Sequence, residues 1–173
     1  MSEALSYETF RNEIEEQNRK VAGWLLFYPE MKEWLEEEKE KIRQGVIKSI
    51  RYSHEAKSKT NKVNDSVANI IVRIDEIERT KKAQCVRLIE DVMMALPLEK
   101  RVFLGLRQKY RYYRGCRGKT GAYTKIQIEY AKVMSQQTGM SEEEVWREIR
   151  TLQSWWREIV EVTVRLALQR NLL

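Results

Sequence analysis

Helix breakers are scarce in this chain. Two prolines and seven glycines occur among 173 residues, while 34% of the residues are charged. So few breakers among many Glu, Lys, Arg and Leu favour an all-α protein. Cysteine and histidine are almost missing as well: Cys85 and Cys116 stand far apart, and His54 is the only histidine. Two isolated cysteines give no disulfide framework, and one histidine beside them cannot make a recognisable zinc site. There is no Cys–His nucleophile spacing and no buried carboxylate pair, so no catalytic residue, cofactor or metal is expected and the chain does not read as an enzyme. Long apolar runs are also missing. No stretch approaches the ~18 apolar residues of a membrane span, so no membrane partner is expected. The first residues, MSEALSYETF, lack a basic region leading into an apolar run, so no signal peptide is expected and the chain reads as cytoplasmic.

What is present is helical patterning. Residues 3–20 carry a thin stripe (Leu5, Phe10, Ile14), and Val21 to Tyr28 is apolar enough to be a buried helical segment. Pro29 is tolerated in a first turn and opens a helix with Met31, Trp34, Leu35 and Ile42. Its other side mixes Glu36, Glu37, Glu38 and Glu40 with Lys39, Lys41 and Arg43, the pattern of a solvated face with i,i+4 pairs. The polar stretch SHEAKSKTNKVN has no apolar periodicity. It divides the chain into an amino-terminal helical hairpin (1–52), a polar linker (53–65) and a third part (66–173). Cys85 sits among apolar residues and is expected to be buried. Asp65 or Ser66 caps a long helix that Leu96-Pro97 stops, because proline disfavours helical geometry in the residue before it. Pro97 then opens another helix with Val102, Phe103, Leu106 and Tyr110 on its apolar side.

Charge is unevenly spread. From Arg101 to Gly139 there are nine cations (Arg101, Arg107, Lys109, Arg111, Arg114, Arg117, Lys119, Lys125, Lys132) and one acid, Glu129. That is +8 against a whole-chain surplus of +6, so the rest of the chain is slightly acidic. Clustered positive charge interleaved with Tyr110, Tyr112, Tyr113 and Tyr123 is the footprint of nucleic-acid binding, lysines and arginines on phosphate and tyrosines on phosphate or base. GCRGKTG in the middle lacks the Gly-to-Gly-Lys-Ser/Thr spacing of a nucleotide-hydrolysing loop and reads as a basic loop that tracks a DNA backbone.

Directly after it comes a helix–turn–helix pattern. Ile126, Tyr130, Val133 and Met134 share a stripe; Gly139 fits a left-handed helix-closing position; Ser141 and Glu144 form a capping box. A long second helix is expected to carry Val145, Ile149, Leu152, Trp156, Ile159 and Val160 inward. As a recognition helix it would offer Ser141, Glu142, Trp146, Arg147, Arg150 and Ser154 outward. Glu142 and Glu143 would repel phosphate unless they accept from cytosine amino groups. Of Trp155 and Trp156, set about 100° apart, one is expected inside. The apolar tail from Val160 to Leu173 is expected to dock on the chain or to form a homodimer.

Four segments together resemble phage late-gene transcriptional regulators of the RinA/ArpU type, which are similar to the −35-binding region 4 of bacterial sigma factors. These are FYPEMKEWLEEEKEKI (27–42), NDSVANIIVRIDEIER (64–79), LIEDVMMALPLEKRVFLGLRQKY (88–110) and GMSEEEVWREI (139–149). In order they cover most of residues 27–159. The resemblance implies a sigma-region-4-like helix-turn-helix domain within 66–173, and binding of double-stranded DNA near a promoter. It also implies activation of packaging or morphogenesis genes and RNA polymerase as a further partner. Two other readings stay open: a small-terminase-like DNA-packaging protein, and a helical protein-interaction module without DNA.

Overall fold

A computed structural model describes residues 2–55, 62–113 and 119–173. Among the described residues every regular element is a helix: α1 (Ser2–Leu26), α2 (Tyr28–Glu55), α3 (Lys62–Glu78), α4 (Lys81–Ala95), α5 (Leu98–Lys109), α6 (Lys119–Thr138), α7 (Glu142–Val145) and α8 (Ile149–Gln169). The all-α class expected from the scarcity of breakers is the class observed. Of the stretch expected as a linker, residues 56–61 lie outside the described residues, while α2 continues to Glu55 and α3 begins at Lys62. The contacts group the chain into two units, Pro29–Arg87 and Met1–Tyr28 with Leu88–Leu173.

In the unit Pro29–Arg87, Leu35, Ala83, Cys85 and Val86 are buried. The mixed-charge face of α2 is not purely solvated. Lys39 reaches Glu78 of α3 at 3.0 Å, and Arg87 bonds the same carboxylate. The hydrogen bond from Lys39 first, and the neighbouring charges after it, hold the Glu78 carboxyl below its ordinary range. Lys82 lies over the Trp34 ring at 3.6 Å. The single long helix expected from residue 66 to Leu96 is broken at Arg79–Thr80. Thr80 acts as a helix cap, its hydroxyl accepting the Ala83 N–H at 3.3 Å, while the Gln84 side chain donates to the Arg79 carbonyl at 2.9 Å.

In the other unit α1 packs on α8 and α5, α5 on α6 and α8, and α6 on α7 and α8. The core takes Val21 and Leu25 from α1, Leu88, Ile89 and Val92 from α4, and Phe103, Leu104 and Leu106 from α5. It is completed by Ile126, Tyr130 and Met134 of α6 and by Leu152 and Ile159 of α8. Leu96-Pro97 separates α4 from α5 as expected, with Pro97 extended at ψ 152. Trp155 is the inward tryptophan, edge-on to Phe103 at 6.0 Å and to Tyr130 at 5.8 Å. The buried Gln108 side chain donates to the Leu25 carbonyl at 2.9 Å, satisfying one of the last carbonyls of α1.

The Tyr130 hydroxyl is buried and finds no hydrogen-bond partner among the described residues. Burial, and secondarily the charge of Glu99, pushes its pKa from near 10 to about 12. A raised folded-state value means that the folded chain keeps a proton the unfolded chain has lost. This contribution to stability is therefore complete below pH 10 and is lost as the pH rises through about 12. Tyr130→Phe is expected to flatten that alkaline decline in melting temperature and to match or exceed the native chain at pH 7, since it removes an unsatisfied polar group. A variant melting several degrees lower at pH 7 would show that the hydroxyl is bonded.

Candidate nucleic-acid interface

The turn that follows α6 forms as its residues dictate. Gly139 has φ +72, the left-handed value at which a side chain would be strained. Ser141 Oγ accepts the Glu144 N–H at 3.4 Å, and the Glu144 carboxylate accepts the Ser141 N–H at 2.8 Å. This back-bond, with the one from the Ser141 hydroxyl, holds the Glu144 carboxyl below its ordinary range. Ser141 is thus engaged in the cap.

The expected long second helix is not continuous. α7 lasts four residues, and the chain is extended at Trp146 (ψ 135) and Glu148 (ψ 150) before α8 starts at Ile149. The break is held from outside. The Gln127 side chain of α6 donates to the Arg147 carbonyl at 2.8 Å. Arg147 itself donates to the Trp146 and Glu144 carbonyls at 3.1 and 3.4 Å and pairs with Glu99 of α5 at 2.8 Å. With its side chain 32% exposed, Arg147 is a clasp between α5 and the α7–α8 junction. Trp146 and Glu142 face solvent, as do Arg150 and Gln153 in the first turns of α8. The Ser154 hydroxyl turns along α8 to Glu158 at 3.4 Å.

The basic stretch sorts into two groups. Two of its arginines, Arg107 and Arg111, are packed against rings of the fold, while Arg101 is exposed. Arg107 is half-buried between the rings of Tyr123 and Trp156, 4.8 Å from each, and its Nε has no partner among the described residues. Burial draws its pKa below the ordinary value and raises that of Tyr123. Arg111 lies over Phe27 and Tyr112 and bonds the Gln108 carbonyl, and Arg101 donates to the Leu96 carbonyl at 3.1 Å. Arg114 and Arg117 lie outside the described residues. Lys119 is the first residue of α6 and its side chain is among those not described. Because α6 begins there, Gly121, expected in the loop, is helical.

The lysines form the other group. Lys109 lies 5.2 Å and Lys125 6.0 Å from the Tyr110 ring, which meets Tyr113 edge-on at 6.1 Å. Lys125 bonds Glu129 at 3.2 Å. That hydrogen bond first, then the charges of Lys125, Lys132 and Lys109, holds Glu129 below the usual carboxylate range. Three lysines therefore act on one carboxylate, with Tyr110 beside two of them and Tyr113 against Tyr110, on the outer side of α6 and the end of α5. Lys132 was absent from the expected reading residues. The spacing Lys125, Glu129, Lys132 (i, i+4, i+7) was the signal that places it there. Gln127, which holds the α7 junction, lies roughly 160° around α6 from Lys125. The lysine cluster and α7 thus occupy opposite sides of α6.

Glu129→Gln is expected to raise duplex affinity several-fold at low salt on any DNA sequence, because it frees Lys125 and adds one net positive charge. Unchanged affinity would mean that phosphate does not approach this cluster. Among the described residues no group of three or more His, Cys, Asp or Glu is placed to hold a metal ion. No described helix is long and apolar enough to cross a membrane. Compared with protein-family models, with curated proteins and with solved structures, the chain matches none, so the chemistry of the cluster itself carries its interpretation.

Proposed function

We propose that this protein is a double-stranded DNA-binding transcriptional regulator that grips the phosphate backbone with Lys109, Lys125 and Lys132. The observation that carries the reading is that exposed lysine–tyrosine cluster, next in sequence to the further cations of residues 114–119. Lysines on phosphate release counterions, and tyrosine hydroxyls add hydrogen bonds to phosphate oxygens. The Gly139 turn and the Ser141 cap support a sigma-region-4-like helix-turn-helix made of α6, α7 and α8. In it Arg150 and Gln153 are the base readers, Arg for guanine and Gln for adenine; because the lysine cluster lies on the other side of α6, one duplex meets both only by bending around α6. Arg147 leaves that role for a structural one, because its donors are engaged on Glu99 and on backbone carbonyls. Activation of phage late genes, with RNA polymerase as the second partner, follows from the resemblance of the four segments alone.

Fluorescence anisotropy with a labelled duplex at several salt concentrations tests the reading. Three phosphate contacts at about −0.9 each predict a slope of log affinity on log salt near −3 or steeper. Binding that ignores salt, or no binding at low salt, would remove DNA from the account and leave a helical protein-interaction module.

A further inference from the structure

We propose that the open groove between α1 and α8 is the docking surface for a second copy of this chain. Phe10, Ile14, Val21 and Leu25 share one face of α1, with the polar Gln17 between Ile14 and Val21. Its second half is fully buried, at Val21 and Leu25, but its first half is bare, with Phe10 61% exposed. Across from it stand Val160, Val164 and Leu168 of α8, the last 47% exposed. Between the two helices lies a groove of about 840 Å³. A large aromatic residue held in water beside an apolar groove is unfavourable, and covering it recovers roughly 25 cal/mol per Å².

The rim identifies the occupant. It carries Glu13 and Arg19 on α1, and Arg157, Glu161 and Arg165 on α8. Alternating signs disfavour a nucleic acid or any partner of uniform charge. They suit a two-fold copy, in which each patch meets itself. Within one copy Glu161 and Arg165 pair along α8 in solvent; two α8 helices running antiparallel and crossing at the level of Thr163 let the same two residues exchange partners, Glu161 of each copy meeting Arg165 of the other. The groove spans 13 residues on each helix, from Phe10 to Ala22 and from Trp156 to Leu168. That is about 20 Å of helix, or a face of roughly 400 Å² on each partner. A total near 800 Å² falls below the ~1,200 Å² of stable interfaces, so the dimer is weak and reversible, with a Kd of micromolar order or above.

Sedimentation velocity on the full chain, from about 1 to 300 µM, tests this. The expected result is a mass rising with concentration from 20.7 kDa toward twice that value. Phe10→Glu and Leu168→Glu should each hold the monomer mass throughout, with circular dichroism unchanged because both positions are exposed. Glu161→Arg and Arg165→Glu should each weaken the dimer at least several-fold, and an equimolar mixture of the two variants should regain it, since neither chain can then form the pair along its own α8 and only a contact between copies brings opposite charges together. The proposal is overturned by a monomer at the highest concentration, or by a ring of eight or more subunits. It is equally overturned by a dimer indifferent to Phe10→Glu and Leu168→Glu, or by a mixture of the two charge variants that stays as weak as either alone. Duplex binding is read separately by anisotropy, so either result stands without the other.

Discussion

Changing Lys109, Lys125 and Lys132 together to Gln is expected to reduce duplex affinity about a hundredfold or more at low salt. The salt slope should flatten by about three units. Each ammonium set against phosphate contributes on the order of 1 kcal/mol and releases one counterion, and the loss should be equal on specific and random DNA. Lys109 and Lys132 are exposed, and Lys125 contributes only one partly exposed i,i+4 pair. The melting temperature should therefore barely move, since surface substitutions usually stay within ~0.5 kcal/mol. The informative control is Arg107→Met. It removes a cation from the same stretch of sequence, but one that sits between Tyr123 and Trp156. That variant should keep the salt slope and change the melting temperature instead. A triple variant with an unaltered slope would show that DNA, if bound, is held elsewhere.

Arg147→Met should be the most destabilising polar substitution in the helix–turn–helix. It takes away the Glu99 pair and two donors to the Trp146 and Glu144 carbonyls, which stand at a break where no helix satisfies them. The ion pair is about one-third exposed and contributes less than about 1 kcal/mol. Both carbonyl bonds are exposed, so water replaces the lost donors and together they contribute about 0.5–1 kcal/mol. A total of roughly 1–2 kcal/mol corresponds to about 3–6 °C in a chain of this size. Glu99→Gln breaks the ion pair alone and keeps the carbonyl bonds, so it should cost about 1 kcal/mol or less. Equal losses for the two variants would mean that the carbonyl contacts contribute nothing. If Arg147→Met also lost specific binding while keeping nonspecific binding, the junction would be shown to position Arg150 and Gln153.

Local chemistry was legible without a structure. Scarce breakers made the chain all-helical, Leu96-Pro97 ended α4, Gly139 took positive φ, and Ser141 with Glu144 closed a capping box. Each of these depends on residues within four positions of one another, and sequence patterns report that range directly. Thr80 carried a readable cap signal that the apolar stripe around it masked.

Other features depended on partners distant in the chain. Nothing near Trp146–Glu148 signals a break: there is no proline or glycine, and Val145, Ile149 and Leu152 keep helical spacing. The break is held by Gln127, 20 residues away, and by Glu99, 48 away. The division of the basic stretch is of the same kind. Charge counting treats Arg107 and Lys109 alike, yet only the packing of α5 against α6 and α8 brings two rings to Arg107 and leaves Lys109 in solvent. By itself the sequence determined the helical class, the stops at Leu96-Pro97 and Gly139, the cap at Ser141 and the sign of the charge. Tertiary structure decided which cations face water and where the second helix of the turn stops, because both are set by side chains that meet only when α5, α6 and α8 pack.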